Sequence, residues 1–301
     1  MLCAPLFCGR RKERIMQLTS VKTVKEIAKM FGFDFSKGLG QNFLLDDNVL
    51  EDIANAASGT EGVLEIGPGF GVLTKELSKA FEKVVSVEID KSLLPVLNYT
   101  LSECDNVKIV NADFMKLNLK ELLKEEFSDK KISVAANLPY YITTPIITSL
   151  IEGKYNLDKI VIMVQKEVAE RFCARPGTKE YGAISVLCAY YTNPEIICKV
   201  PASKFYPAPK VDSAVVCMKV CEKPNVDVKN EKLFFKVVKA SFAQRRKTLL
   251  NCLANGFSKD KAFFEKILND LGINPSIRGE KLGLDEFARI SDAMTDSGEF
   301  N

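Results

Sequence analysis

Four short stretches carry residue types that can do chemistry together. Glu65-Ile66-Gly67-Pro68-Gly69-Phe70-Gly71 places three glycines at alternate positions, between an apolar run and a helical pattern. Backbone without side chains lets a ligand approach closely, and the N-terminus of the following helix favours negative charge. Glu88 falls 21 residues beyond Gly67, where a carboxylate can accept the protons of two ribose hydroxyls. Asp113, in Asn111-Ala112-Asp113, suits an adenine amino group. Asn137-Leu138-Pro139-Tyr140 joins an amide, a turn-fixing proline and an aromatic ring. The Asn137 side-chain oxygen and a backbone carbonyl near Leu138 can accept the protons of an exocyclic amine and draw its nitrogen toward tetrahedral geometry. Tyr140 can stack on an extruded base, a contact worth about 1–3 kcal/mol.

These groups need a scaffold that brings them to one place. Apolar runs at 63–66, 84–88, 107–110, 132–136 and 160–164 read as strands, and helical periodicity fills 74–83, 92–103, 118–127 and 144–152 between them. Apolar strands alternating with helices predict a parallel sheet covered on both faces. Ligands in such sheets bind at the carboxyl ends of the strands, which is where all four groups fall. A lone acid at a strand end is ordinarily a helix cap; candidates at consecutive strand ends point to a shared ligand. Upstream, helices are expected at 21–31 and, capped by Asp46 and Asp47, to about residue 57. Downstream, helices near 166–174 and 181–191 precede strands at 195–200 and 213–220, joined by a proline-rich link. A polar stretch at 220–230 then leads into helical patterns at 231–243, 245–255, 259–271 and 283–294. The expected organisation is an N-terminal extension over 1–20, an α/β domain over 21–222 and an all-helical domain over 223–301.

Composition removes several alternatives. The 301 residues include no histidine, which excludes a histidine general base, Ser-His-Asp or Cys-His catalysis and histidine-ligated zinc. Nine cysteines form no C-x-x-C pair and fit no structural zinc spacing, so they read as small buried apolar side chains in a reducing cytoplasm, with no metal expected. No apolar run approaches the roughly 18 residues of a membrane span. The start of the chain lacks the order of a secretory signal, and Pro5 and Glu13 break the pattern of a mitochondrial one. Organised sequence begins near Met16, the expected start of the native chain. No dimerising heptad is evident, and a monomer is expected.

The spacing G-x-G-x-G, with Val72 where a dinucleotide loop would want its third glycine, resembles the nucleoside loop of class I S-adenosylmethionine (SAM) methyltransferases. Val72 and the absent histidine disfavour a nicotinamide oxidoreductase. The tetrapeptide at 137–140 falls in the pattern of methyltransferases that act on amino groups conjugated to a π-system. In order, Lys37-Gly-Leu-Gly-Gln-Asn-Phe-Leu44, Glu65-Ile-Gly-Pro-Gly69, Val87-Glu-Ile-Asp90, Asn137-Leu-Pro-Tyr140, Gln165-Lys-Glu-Val168 and Phe205-Tyr-Pro-Ala-Pro-Lys-Val-Asp-Ser-Ala214 resemble the bacterial small-subunit (16S) ribosomal RNA adenine N6,N6-dimethyltransferases. Ser241-Phe-Ala-Gln-Arg-Arg-Lys-Thr-Leu-Leu250 is similar to a basic helix of that family's helical domain.

The resemblance implies a class I SAM-dependent methyltransferase fold, Rossmann-like, with a seven-stranded, mostly parallel sheet and a smaller all-helical C-terminal domain. It implies dimethylation of two adjacent adenosines in the 3'-terminal hairpin loop of 16S rRNA during small-subunit assembly. It places Asn42, Leu44, Gly67 and Gly69 around SAM, Glu88 on its ribose and Asp113 on its adenine. Asn137 borders both cofactor and target base, and Phe205 packs near that base unless it is ordinary core. The basic residues are unevenly placed: 228–254 holds seven Lys or Arg against one acid, and 199–219 holds four Lys against one acid. Lys204, Lys210, Arg245, Arg246 and Lys247 are therefore expected to face the rRNA backbone. A large-subunit (23S) rRNA adenine methyltransferase of the macrolide-resistance type and a non-catalytic ribosome-assembly factor are the competing readings. One departure is Cys217, where relatives commonly carry Arg.

Overall fold

The computed structural model describes residues 17–34, 42–139 and 142–300. The expectations for residues 1–16, for the start of the 37–44 motif and for Tyr140 lie outside the described residues.

The chain opens with α1 (Val21–Met30), a two-residue strand β1 (Phe43–Leu44) and α2 (Asp47–Ala57), whose Asp46 cap accepts the Val49 N–H. The α/β alternation then follows: β2 (Gly62–Ile66), α3 (Val72–Ala80), β3 (Lys83–Glu88), α4 (Leu94–Thr100), β4 (Val107–Asn111), α5 (Leu119–Phe127), β5 (Ile132–Asn137), α6 (Thr143–Glu152) and β6 (Leu157–Gln165). After α7 (Lys166–Phe172) and α8 (Ala183–Tyr191) come β7 (Thr192–Val200), a second two-residue strand β8 (Phe205–Tyr206) and β9 (Ser213–Val220). Helices α9 (Glu231–Phe242), α10 (Leu249–Phe257), α11 (Lys261–Asp270) and α12 (Leu284–Asp296) complete the described chain.

Among the described residues, seven strands form one sheet in the order β4-β3-β2-β5-β6-β9-β7. Strands β2 to β6 run parallel, and β9 is antiparallel to both β6 and β7. The strand order therefore reverses beside β2, which lies between β3 and β5. Crossover helices leave a crevice at such a reversal, on the carboxyl side of the strands. This is the class I SAM methyltransferase fold, with the strand pattern of the sequence reproduced to within a few residues. The central strands are apolar on both faces: Val63 and Val84 pack with α1–α4, while Leu64, Val85 and Val134 pack with α5–α7.

Two features depart from the expected pattern. Strands β1 and β8 pair antiparallel, Phe43 with Tyr206 and Leu44 with Phe205. Two residues are too few to show a period, so the pair is invisible until the chain folds back on itself. The Gln244–Lys247 segment, expected inside a basic helix, is a turn instead, because Thr248 caps α10 by accepting the Asn251 N–H. The polar stretch after β9 does separate the sheet from α9–α12, but the apolar cluster of those helices also takes in Tyr181, Val186 and Tyr190. The sheet and the helices thus share α8. Cys217 is buried in β9 opposite Glu195. No described helix is long and apolar enough to cross a membrane.

Candidate functional site

A cavity of about 140 Å³ opens at the carboxyl end of the sheet, where β2 and β5 lie side by side. Asn42, Leu44, Gly67, Gly69, Glu88, Asp113, Asn137, Leu138 and Pro139 all line it. Residues scattered over almost a hundred positions of sequence are brought together because Gly67, Gly69, Glu88, Asp113 and Asn137–Pro139 lie at or just beyond the ends of neighbouring strands, with Asn42 and Leu44 at β1 facing them.

The glycine loop turns directly out of β2. Gly67 has φ +73°, and a Cβ there would meet nothing within 4 Å, so its missing side chain leaves room on the cavity side. Gly69 has φ +58°, and a Cβ there would stand 2.7 Å from the Phe43 ring. That ring packs edge-on against Phe70, with centroids 4.7 Å apart, and Phe33 covers Phe70 in the same manner at 5.3 Å. Residues before α2 are in this way wedged onto the glycine loop.

Three carboxyl groups sit around the loop in different surroundings. Glu88, at the end of β3, is 4% exposed; its Oε2 accepts the Gly69 N–H at 3.2 Å and its Oε1 accepts the Asp90 N–H at 2.8 Å. Burial raises its pKa above the ordinary value, opposed by those amide bonds. Glu65 lies beneath the loop, wholly buried. Its Oε2 accepts hydroxyl bonds from Thr74 at 2.7 Å and Ser86 at 2.6 Å, while Oε1 has no partner among the described residues. Burial pushes this carboxyl up to about 7. Asp113 caps the turn after β4, accepts the Met115 N–H at 3.0 Å and pairs with Lys116 at 3.2 Å. The Asn111 amide and the Ala112 N–H both donate to the Glu88 carbonyl, at 2.7 and 3.0 Å, which ties the ends of β3 and β4 together.

At the end of β5, the Asn137 side-chain Nδ2 donates to the Asn42 carbonyl at 3.0 Å. An amide has a donor and an acceptor side, so committing the nitrogen turns Oδ1 away from Asn42. The Pro139 carbonyl accepts the Ile142 N–H and the Thr143 hydroxyl, starting α6 directly after the turn.

Sequence reasoning missed most of the apolar lining: Phe43, Leu50, Val72, Leu73, Leu93, Phe114, Ile142 and Ile146. Ile89 was discoverable, since an apolar residue between the acids Glu88 and Asp90 has no reason to be solvated; it lines the cavity while 56% exposed. Phe205 was expected near a target base. It is instead 5% exposed, paired with Leu44 in the two-stranded sheet, and does not line the cavity.

The expected RNA-facing cations divide into two groups. Lys204 is paired with Asp46, and the Arg245 guanidinium donates to the Lys179 and Tyr181 carbonyls. Lys210, Arg246 and Lys247 are exposed, with no ion pair among the described residues. Lys232, Lys236 and Lys239 line the exposed side of α9 at helical spacing. No cluster of three or more metal-ligating side chains is assembled among the described residues.

A mostly apolar cavity, with a glycine floor open to close approach and carboxyl groups at successive strand ends, fits a nucleoside with a charged tail. Comparison with known proteins agrees. Residues 32–296 match the model of the ribosomal RNA adenine dimethylase family. The chain is 50% identical over 276 residues to ribosomal RNA small subunit methyltransferase A of Bacillus cytotoxicus, covering 90% of this chain and 94% of that protein. The corresponding protein of Bacillus mycoides is 49% identical over the same coverage. Among solved structures, a dimethyladenosine transferase from Plasmodium falciparum superposes with a TM-score of 0.72 at 24% identity, over 85% of this chain and 98% of that one. The 23S rRNA methyltransferase ErmE superposes at 0.67 and 25% identity, over 84% and 100%. The two structures share the fold and do not separate small-subunit from large-subunit substrates; the half-identical relatives carry that distinction. With a family match spanning most of its length and relatives at half identity, the chain belongs to the ribosomal RNA adenine dimethylase family.

Proposed function

We propose that this protein is a SAM-dependent enzyme that places two methyl groups on each of two adjacent adenosines in the 3'-terminal hairpin loop of 16S rRNA, during small-subunit assembly in the cytoplasm. The observation that carries this reading is the convergence of Gly67, Glu88, Asp113 and Asn137 on one cavity, in a chain half identical to proteins named for the small ribosomal subunit. In this reading residues 21–222 form the methyltransferase domain and 223–301 the rRNA-facing helical domain, acting as a monomer.

The residues present suit the cofactor. The open space at Gly67 admits its methionine end, Glu88 accepts from the ribose hydroxyls, and Asp113 accepts from the adenine amine, with Ile89 and Phe114 against the ring. Asn42, Leu44 and Gly69 complete the enclosure. Bound SAM supplies an electrophilic methyl group on a sulfonium.

The protein's task is then placement of a weak nucleophile, since the lone pair of adenine N6 is delocalised into its ring. Asn137 Oδ1 and the Leu138 carbonyl accept the two amine protons and pull the nitrogen out of conjugation. The Pro139 carbonyl is already engaged by α6, which leaves the Leu138 carbonyl as the backbone acceptor. Tyr140 stacks on the extruded base. Alignment for in-line attack is the main contribution such a site makes, and it needs no histidine.

The cations Lys210, Arg246 and Lys247 face the rRNA backbone, joined by the lysines on the exposed side of α9. Lys204 and Arg245 are engaged by other groups of the protein, the Asp46 carboxylate and the Lys179 and Tyr181 carbonyls. Phe205, buried behind Leu44, supports the cavity wall and does not touch the base.

Small subunits lacking these methyl groups, incubated with the enzyme and labelled SAM, should yield N6,N6-dimethyladenosine on nucleoside analysis. Absence of that nucleoside overturns the reading, and label in 23S rRNA alone, in a parallel incubation with large subunits, would favour the large-subunit alternative.

A further inference from the structure

The segment from Ala202 to Ser213 contains one of the most distinctive stretches of the sequence, yet none of its residues lines the cavity. Its contacts lead there indirectly. The Asp212 carboxylate accepts the Ala202 N–H at 2.9 Å and its carbonyl accepts the Lys166 N–H at 3.0 Å, which pins the start of a short helical turn, Ala202–Lys204, to the start of α7, directly after β6. Lys204 then engages the wall before α2 twice. Its carbonyl accepts the Leu45 N–H at 2.8 Å, and its ammonium pairs with the Asp46 carboxylate, whose side chain is 12% exposed. Phe205 and Tyr206 continue as β8 against Leu44 and Phe43.

A two-residue strand has no stability of its own; pairing across the chain must hold it. What β1 carries is functional. Phe43 and Leu44 line the cavity, the Phe43 ring fills the space above Gly69, and the carbonyl of Asn42 just ahead of them fixes the Asn137 amide. We infer that Lys204 is a positioning residue for the cavity, acting through Asp46 and β1 on Asn137 and the glycine loop, and that it is not an rRNA contact. This rests on the function proposed above for the meaning of the cavity, but not for the mechanical link.

The two roles predict opposite results. A phosphate contact, once removed, weakens rRNA binding and lowers the salt slope by about 1, leaving the cofactor untouched. A positioning residue does the reverse. The test uses full-length Lys204→Met, Lys204→Arg and Asp46→Asn, together with the Lys204→Met/Asp46→Asn double variant. Asparagine keeps the acceptor for the Val49 N–H, so Asp46→Asn removes the charge without removing the helix cap. Three quantities are measured: SAM affinity by calorimetry, rRNA affinity across a salt series, and hydrogen exchange at the Leu45 amide.

Lys204→Met and Asp46→Asn should each weaken SAM binding by about 5- to 10-fold, the net scale of one ordinary hydrogen bond for a pair whose lysine is half exposed. Each should also speed exchange at Leu45, with the rRNA salt slope unchanged. Lys204→Arg should retain most of the affinity, and the double variant should lose little more than either single one. A lowered salt slope with unchanged SAM affinity, unchanged exchange at Leu45, or fully additive losses would each overturn the inference. Wild-type protein that binds no SAM would overturn the proposed function instead, and exchange at Leu45 would still decide whether Lys204 holds the wall.

Discussion

On one side of the cavity, Gly67, Glu88, Asp113 and Asn137 hang from the ends of β2 to β5, held by a parallel sheet whose central strands β2, β3 and β5 are buried on both faces. On the other side, Asn42, Phe43 and Leu44 stand at a two-residue strand that pairs with β8, some 160 positions away. The first wall is rigid because hydrogen bonding and apolar packing fix each strand end independently. The second is held by a few contacts: the β1–β8 pairing, the Lys204–Asp46 ion pair and the Phe43–Phe70 ring contact. Chemistry that must not move belongs on the first wall.

Asn137 joins the two walls by a side-chain hydrogen bond to the Asn42 carbonyl, and its removal should have the largest effect. Asn137→Ala is expected to lower the methylation rate by about 100- to 1,000-fold, the scale for one preorganised hydrogen-bonding group, while rRNA affinity stays within a few-fold of wild type. Equal loss of binding and rate would mean that Asn137 mainly organises the fold.

Glu65 tests the rigidity of the sheet side. The unfolded chain loses this proton near 4.5 and the folded protein near 7. Between those values the folded state holds more protons, so stability falls as pH rises and levels off above about 7, at a cost of about 3 kcal/mol. Glu65→Gln keeps a neutral side chain at every pH. Denaturant unfolding should find it more stable than wild type at pH 8 and nearly equal at pH 5. A gap independent of pH would show that Glu65 does not titrate in this range.

Glu88 should move binding more than stability. Glu88→Gln leaves one acceptor for two ribose hydroxyls and is expected to weaken SAM by about 10-fold. Because the Glu88 pKa is raised, wild-type affinity should fall as pH drops through that raised value. The variant should lack this fall, and calorimetry over a pH series distinguishes the two.

The smallest effect is expected furthest from the cavity. Replacing Arg246 and Lys247 with Glu should reduce the rRNA salt slope by about 2 without changing SAM affinity. Arg245→Ala should instead lower thermal stability, because its guanidinium joins the turn before α10 to the Lys179 and Tyr181 carbonyls. If all three variants shift the slope alike, the division between free and engaged cations fails.

How much could be read in advance followed from how each part is stabilised. Strands β2 to β6 are long apolar runs between helical patterns, and the groups at their ends inherit definite positions from that alternation. Glycine spacing, the acids of Glu88 and Asp113, and the turn at Asn137–Pro139 were legible because each is a local requirement of backbone or ligand. The contacts of Lys204, Arg245 and Phe205 were not legible, for the opposite reason. A charge count cannot tell a solvated lysine from one paired with a distant aspartate, and an aromatic in a motif carries no mark of burial.

The amino-acid sequence alone determined the sheet, the order of its strand ends and therefore the side of the molecule on which the chemistry sits, because periodicity and chain connectivity are properties of neighbouring residues. Only the tertiary structure decided what encloses that chemistry. The pairing of β1 with β8, the Phe43 ring over Gly69 and the Asn42 carbonyl on Asn137 join segments far apart in the chain, and no local pattern encodes a contact whose two halves meet only after folding.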